Sequence, residues 1–275
     1  MTAHTIIITP GRADKLYWHD LWRYRELFLV LAWRDITVRY KQTFIGLAWT
    51  LLQPLATMLV FTIIFGRLAL LPTEGSAPYS ILVFAGLLPW QLFSTAMNGA
   101  AVSLISNANL ISKVYFPRLL VPAAAVVVAF VDFIVSFAIL LCLMLWHQYP
   151  PSWHILFLPI FILMGFLASL GIGLWITALN VKYRDFRYVV PFLLQLGLYI
   201  SPVGFSSTIV SDEWRILYSL NPLVGVIDGF RWAILGHTSK PYLPGLLLSW
   251  IVIVFFLWLG VRQFLKMEKT FADLI

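Results

Sequence analysis

The residue types that bind nucleotides, coordinate metals or attack substrates are sparse in this sequence. It contains no Gly-x-x-x-x-Gly-Lys-Ser/Thr phosphate loop and no Gly-Lys pair, so it lacks the usual cradle for ATP. The five His residues show no metal-ligand spacing, and no Ser/His/Asp set or carboxylate pair is placed for catalysis. Cys142 is the single Cys, so the chain cannot build a disulfide or a Cys metal site. The sequence predicts a protein without enzymatic activity, cofactor or metal.

One acidic residue, Asp132, lies in the middle of a long apolar run, residues 119–146. An acid at the centre of a membrane costs on the order of 3 kcal/mol on insertion scales. Its side chain must therefore face other helices or a wet cavity. We interpret Asp132 as a partnered structural acid, with a polar lining of a substrate path as the alternative. A proton relay would need several such groups in register.

A second notable segment, residues 107–118, connects two apolar runs. We expect Asn109 to cap a helix of under two turns that Pro117 ends. Such a helix would carry aromatic, aliphatic and basic side chains suited to a groove in a partner protein. Composition alone fits an ordinary interfacial loop equally well.

The elements that hold these residues are apolar. The 275 residues are 61% hydrophobic and 11% charged, with a mean hydropathy of +0.88, whereas soluble domains carry about a quarter charged residues. The net charge of +7 comes from basic residues at the ends of apolar runs, where membrane lipids explain them and nucleic acid is not needed. The sequence predicts one membrane domain.

Six apolar runs are long enough, or nearly so, to cross about 30 Å of hydrocarbon. They are residues 44–65, 79–104, 119–146, 155–179, 189–205 and 243–264. The alternating pattern of a barrel is absent, so the predicted fold is an all-α integral membrane protein with six transmembrane helices. We divide it into an amino-terminal segment (1–43), a six-span domain (44–264) and a carboxy-terminal tail (265–275).

Charge asymmetry predicts the orientation of these spans. Fifteen of the 19 Lys and Arg residues fall on one side of the predicted membrane, and only Arg67, Arg215, Arg231 and Lys240 fall on the other. By the positive-inside rule, both termini are predicted to be cytoplasmic in a bacterial inner membrane.

The fifth run is short and is followed by a stretch too polar to cross lipid alone. Pro202 interrupts the run, and the stretch 214–235 contains Trp214, Arg215, Asn221, Pro222, Asp228 and Arg231. Broken helices at membrane depth are tolerated where protein or a cavity covers them. We expect two half-helices that meet at Asn221-Pro222 on the outer side; a surface loop on the headgroups is the alternative.

The segment before the first run has the pattern of a helix in the membrane interface. Trp18, Leu21, Trp22 and Leu29 fall near one helical face. Further on, Asp35 stands four residues before Arg39, a favourable helical pair, and Arg34 and Lys41 share a basic face. Anchoring to anionic lipid and a role in gating both remain open.

Several motifs together resemble the membrane subunits of type-2 ABC transporters that export polysaccharide. They are Trp33-Arg34-Asp35-Ile36-Thr37-Val38-Arg39-Tyr40-Lys41-Gln42-Thr43 with Gly46, Trp49 and Gln53-Pro54; Phe84-Ala85-Gly86-Leu87-Leu88-Pro89-Trp90; residues 109–118; residues 179–185; Asn221-Pro222; and residues 268–273. The resemblance runs from about Trp33 to the carboxyl terminus.

The resemblance implies a homodimer bound to two ATPase subunits, which hold ATP and Mg²⁺ and drive export of O-antigen, teichoic acid or a related glycan on a polyprenyl diphosphate carrier. By the same resemblance, the coupling residues that dock on the ATPase are Asn109, Leu110, Ile111, Lys113, Val114, Tyr115, Phe116, Pro117 and Arg118, helped by Arg34, Asp35 and Arg39. The implied outer gate comprises Pro202, Trp214, Asn221, Pro222, Asp228 and Arg231. An exporter of drugs or small lipids, a membrane glycan transferase and a proton-coupled carrier are the alternatives.

Overall fold

The computed structural model describes residues 14–41, 44–72, 75, 77–236 and 241–271. Arg12, Lys240 and the ends of the predicted amino- and carboxy-terminal segments lie outside these ranges. Within them the chain is helical, without strands. The helices are α1 (Asp14–Arg23), α2 (Arg25–Lys41), α3 (Phe44–Phe61), α4 (Tyr79–Ser106), α5 (Ala108–Lys113), α6 (Leu120–Trp146), α7 (Leu158–Lys182), α8 (Phe186–Ile200), α9 (Asp212–Tyr218), α10 (Pro222–Leu235) and α11 (Leu243–Glu268). A π-helical segment, Thr62–Leu68, continues α3, and a 3₁₀ turn, Trp153–Phe157, precedes α7.

Five helical segments of the described chain are long and apolar enough to cross a membrane. They are Leu51–Leu68, Tyr79–Ser106, Leu120–Trp146, Trp153–Lys182 and Leu243–Glu268. The fifth predicted run corresponds to α8, which has 15 residues and ends at Ile200, before Pro202. At 1.5 Å per residue, α8 is about 22 Å long, so it falls short of the hydrocarbon thickness. The predicted all-α membrane fold is confirmed, with α8 as its short member.

Helix α4 is the centre of the bundle. It packs against α6, α7 and α10, and α7 packs in turn against α11. Most of α4 is buried within the chain, whereas α3 and α11 expose apolar side chains. Small residues permit the close contacts: a Cβ on Gly171 would lie 2.7 Å from the Leu257 backbone of α11, and one on Gly173 would lie 3.1 Å from Ala100 of α4. These glycines of α7 therefore allow close packing against α4 and α11 within the chain.

The amino-terminal segment forms two helices, broken at Tyr24. Trp18, Trp22 and Leu29 are exposed, whereas Leu21 packs against a buried cluster. The predicted apolar face thus points away from the bundle at three of its four positions.

That buried cluster ties both described ends of the chain to one end of the bundle. It joins Leu31 of α2, Ile111 of α5 and Phe116 to Phe264 and Phe271, whose rings lie 5.2 Å apart at the end of α11. We call this the α5 end; helices α9 and α10 lie at the opposite end.

Candidate functional site

Helix α5 begins two residues earlier than the sequence predicted. Asn107, with φ −109° and ψ 21°, leaves helical geometry and separates α4 from α5, so Asn109 lies inside the helix and does not cap it. The Asn107 amide donates to the Ser103 carbonyl at 2.9 Å. The helix ends at Lys113, and Val114 is already extended. Pro117 therefore lies beyond the end of the helix and does not end it, contrary to the prediction.

The predicted coupling residues divide into an exposed tip and a buried base. Asn109, Lys113, Val114 and Tyr115 are exposed, and Val114 and Tyr115 leave 50% and 62% of their surface uncovered. Ile111, Phe116 and Pro117 are buried in this chain, and Leu110 and Arg118 are half-buried. Ile111 and Phe116 belong to the cluster at the α5 end. The base therefore positions the tip, and only the exposed residues are available to another molecule.

Polar contacts tie this segment to two other helices. Arg34 of α2 donates to the Asn107 side-chain oxygen at 2.7 Å and pairs with Asp35 at 2.7 Å. The Arg118 backbone N–H donates to Glu268 Oε1 at 2.8 Å, and the Arg118 guanidinium donates to the Glu268 carbonyl. Arg34 and Asp35 thus lie beside α5, at the same end of the bundle.

Arg39 does not form the predicted pair with Asp35. Its Nη2 lies 2.6 Å from Asp132 Oδ2 in α6, and the Tyr40 hydroxyl donates to Asp132 Oδ1. Burial raises the pKa of the Tyr40 phenol, so the phenol remains a neutral donor. A nearly buried carboxylate gains more from a cation than an exposed one does, and this explains why Arg39 turns towards α6. Asp132 therefore has the partner that our first interpretation requires.

At the opposite end, α9 and α10 are the two short helices that the sequence predicted. They meet at Asn221-Pro222, where Asn221 Oδ1 caps α10 by accepting the Leu223 N–H at 3.1 Å. Pro222 occupies the first helical turn, which tolerates its missing N–H. The Asn221 amide also donates to Ser201 Oγ at 3.0 Å, which joins the half-helices to the end of α8.

Arg231 is the centre of this opposite end and is fully buried. Its guanidinium donates to the carbonyls of Val203 at 2.7 Å, Phe205 at 2.7 Å and Leu82 at 3.1 Å. A Cβ on Gly86 would lie 2.6 Å from Arg231 Nη2. The arginine thus holds α10, the 203–205 segment and α4 together.

The other predicted gate residues are not all neighbours of Arg231. Pro202 is buried in the same region and the Asp228 carboxylate accepts the Ser207 hydroxyl at 2.5 Å, whereas Trp214 is 61% exposed and points away. Sequence reasoning missed Ser201, Ser207 and the role of Gly86. Gly86 lies in the segment Phe84-Ala85-Gly86-Leu87-Leu88-Pro89-Trp90, but nothing in the sequence connects it with Arg231.

In the described ranges, no group of three or more His, Cys, Asp or Glu side chains could hold a metal ion. The polar side chains named above bind one another or backbone carbonyls. These polar side chains can therefore hold the helices in place, and the exposed α5 tip can contact another molecule. The described residues named above include no catalytic set of Ser, His and Asp.

The five membrane-length helical segments in the described part of the chain are those of a multi-pass membrane protein. The family described as ABC-2 type transporter matches residues 26–235. Because this match covers more than half of the sequence, the chain belongs to that family of transporter membrane subunits.

Named relatives align over nearly the full chain. The O-antigen export system permease protein RfbA of Myxococcus xanthus is 29% identical over 258 residues, which cover 93% of this chain and 98% of that protein. An RfbA of Klebsiella pneumoniae is 24% identical, with 91% and 95% covered. The polysialic acid transport protein KpsM of Escherichia coli is 25% identical, with 84% and 90% covered.

Proposed function

We propose that this chain is the membrane-spanning subunit of an ATP-driven exporter that moves a polysaccharide on a polyprenyl diphosphate carrier across the bacterial cytoplasmic membrane. Its relatives are named for O-antigen export and polysialic acid transport, and the alignments cover most of both chains. The chain lacks the usual phosphate loop. ATP and Mg²⁺ therefore bind to two separate ATPase subunits, and both ends of this chain face the cytoplasm with them.

The observation that carries this proposal is the exposed tip of the α5 segment on its buried base. Val114 and Tyr115 present uncovered apolar surface beside the exposed Lys113. The base is fixed by Phe116 in the buried cluster and by the contacts of Arg118 with Glu268. An exposed apolar tip on a rigid base suits a groove in another protein, because little conformational freedom is lost on binding. This tip docks on the ATPase and transmits its closure.

A homodimer is supported by the apolar faces of α3 and α8, which this chain leaves uncovered. On α8, Tyr188, Phe192 and Tyr199 are 75%, 63% and 57% exposed and follow one another at helical spacing. Aromatic ring faces offer flat apolar contacts, and Tyr adds a polar end. Such a stripe suits the wall of a glycan path between two subunits, with α9 and α10 as its outer gate.

The test is a Tyr115→Asp variant in cells that produce the exported glycan together with this chain and its ATPase. We expect loss of ATPase copurification and loss of surface glycan, because a charge replaces the apolar tip. Ile209→Asp is the matched control, since Ile209 is exposed at the opposite end. The proposal is wrong if Tyr115→Asp leaves both copurification and export unchanged.

A further inference from the structure

A polar cleft opens into the helix bundle between α2, α3, α4 and α6. Its volume, with the open side included, is about 610 Å³. Gln91 and Asp132, which line it, occupy the middle of α4 and α6. The cleft is therefore at membrane depth.

Two primary amides line this cleft without a partner in the described part of the chain. The Gln53 and Gln91 backbone carbonyls accept hydrogen bonds from Thr57 and Ser94, but their side-chain amides make none. Gln53 is exposed and Gln91 is half-buried, so both amides are accessible to a bound molecule. Each Gln offers two donors and one carbonyl acceptor, so the pair can hold a molecule rich in hydroxyl groups.

The charge of the cleft selects among polar molecules. Of the described residues that line it, only Arg39 and Asp132 are charged, and they neutralise each other at 2.6 Å. A diphosphate is best held by unpaired cationic donors, which this lining does not offer. A neutral molecule that carries several hydroxyl groups fits the lining better.

Ring surfaces complete the lining. Trp49 lines the cleft and is 63% exposed, whereas Phe133 on the α6 side is buried. A sugar ring has an apolar face of C–H groups and a rim of hydroxyl groups, so aromatic rings beside amides match both parts.

We propose that this cleft binds one neutral sugar residue of the glycan, with Gln53 and Gln91 as hydrogen-bonding residues and Trp49 as the ring contact. This inference rests on the proposed function. It assigns a sugar site inside a single subunit, separate from the α8 stripe. A bound sugar would also lie beside the Arg39–Asp132 pair, which connects the cleft to α2.

The first test compares Gln91→Leu and Gln53→Leu with Asn98→Leu in glycan-producing cells. Asn98 is an exposed polar residue of α4 outside the cleft. We expect export to fall roughly tenfold for each Gln variant, as for the loss of one good hydrogen bond to a ligand, and to stay unchanged for Asn98→Leu. Equal export by all three variants, at equal protein levels, would overturn the proposal.

The second test uses benzoylphenylalanine as a photo-cross-linker in place of Thr95, which lines the cleft on α4, with position 98 as the control. We expect a glycan-bearing adduct at position 95 alone, weakened roughly tenfold by Gln91→Leu. A strain that makes the carrier lipid without sugars distinguishes the source. Either of two outcomes would overturn the sugar site: an adduct of the carrier lipid in both strains, or the absence of a glycan adduct in the glycan-producing strain.

The two tests also separate this site from the proposed function. If deletion of the chain abolishes surface glycan while the Gln variants export normally, only the sugar site is wrong. If deletion leaves surface glycan unchanged, the proposed function itself is wrong.

Discussion

The two ends of the helix bundle use short helices in opposite ways. At the α9–α10 end, Arg231 is turned inward and donates to three backbone carbonyls. At the α5 end, Val114 and Tyr115 are turned outward and exposed. A buried charge bound to backbone holds one arrangement of helices, whereas an exposed apolar side chain adds little to the fold and remains free for a partner. Arg231 thus holds helices together through backbone contacts, whereas Val114 and Tyr115 leave apolar surface available to another molecule.

The largest effect should come from Arg231→Leu. Its removal leaves the carbonyls of Val203, Phe205 and Leu82 without their buried donor, and we expect a loss of about 3 to 5 kcal/mol of folding stability. Thermal unfolding in detergent measures this loss. Arg67→Leu, at an exposed arginine, should unfold like the wild type. An unfolding temperature equal to that of the wild type would show that Arg231 does not hold these helices together.

A smaller effect should follow from Gly86→Ala. The added methyl group would lie 2.6 Å from Arg231 Nη2, so the guanidinium must shift, at a cost of about 1 to 3 kcal/mol. Gly99→Ala is the control on the same helix, because its nearest neighbour is the Ala125 Cβ at 3.6 Å. Thermal unfolding of both variants checks the prediction. Equal unfolding temperatures would show that the space between Gly86 and the Arg231 guanidinium can hold a methyl group without a loss of stability.

The smallest effect on stability should come from Tyr115→Ala. Because the side chain is exposed, we expect a change within about 0.5 kcal/mol, together with weaker copurification of the ATPase. Its neighbour Phe116 is buried, and Phe116→Ala should cost about 3 to 5 kcal/mol. Thermal unfolding of the adjacent pair tests the division between tip and base. A large loss for Tyr115→Ala would show that the tip is part of the fold.

Sequence reasoning worked best where one residue type has a strong local preference. Pro202 predicted the end of α8, and Asn221-Pro222 predicted the junction of α9 and α10, because a proline restricts its own backbone and that of the preceding residue. It was less accurate at α5, where Asn107 and Asn109 are equally good caps by type. Asn107, which leaves the helix, accepts a hydrogen bond from Arg34 of α2, a residue distant in sequence that no local pattern connects with it.

Ion pairs show the same division between local and distant information. The spacing of Asp35 and Arg39 predicts a helical pair, yet Arg39 lies against Asp132 and Asp35 lies against Arg34. An exposed pair one turn apart contributes only a few tenths of a kcal/mol. Asp132 is nearly buried, so its carboxylate gains more free energy from a cation than the more exposed Asp35 does. Arg39 therefore pairs with Asp132 across the two helices and not with Asp35.

The sequence by itself determined that this chain is an all-α membrane protein, because apolar runs of that length can satisfy their backbone only as helices in lipid. The sequence also shows that most Lys and Arg residues fall on one side of the predicted membrane and that the usual phosphate loop is missing. Only the tertiary structure decided which polar residue meets which: Arg231 with three carbonyls, Arg39 with Asp132, and the amides of Gln53 and Gln91 at one cleft. Those neighbours lie on different helices, and helix packing, which no local pattern encodes, brings them together.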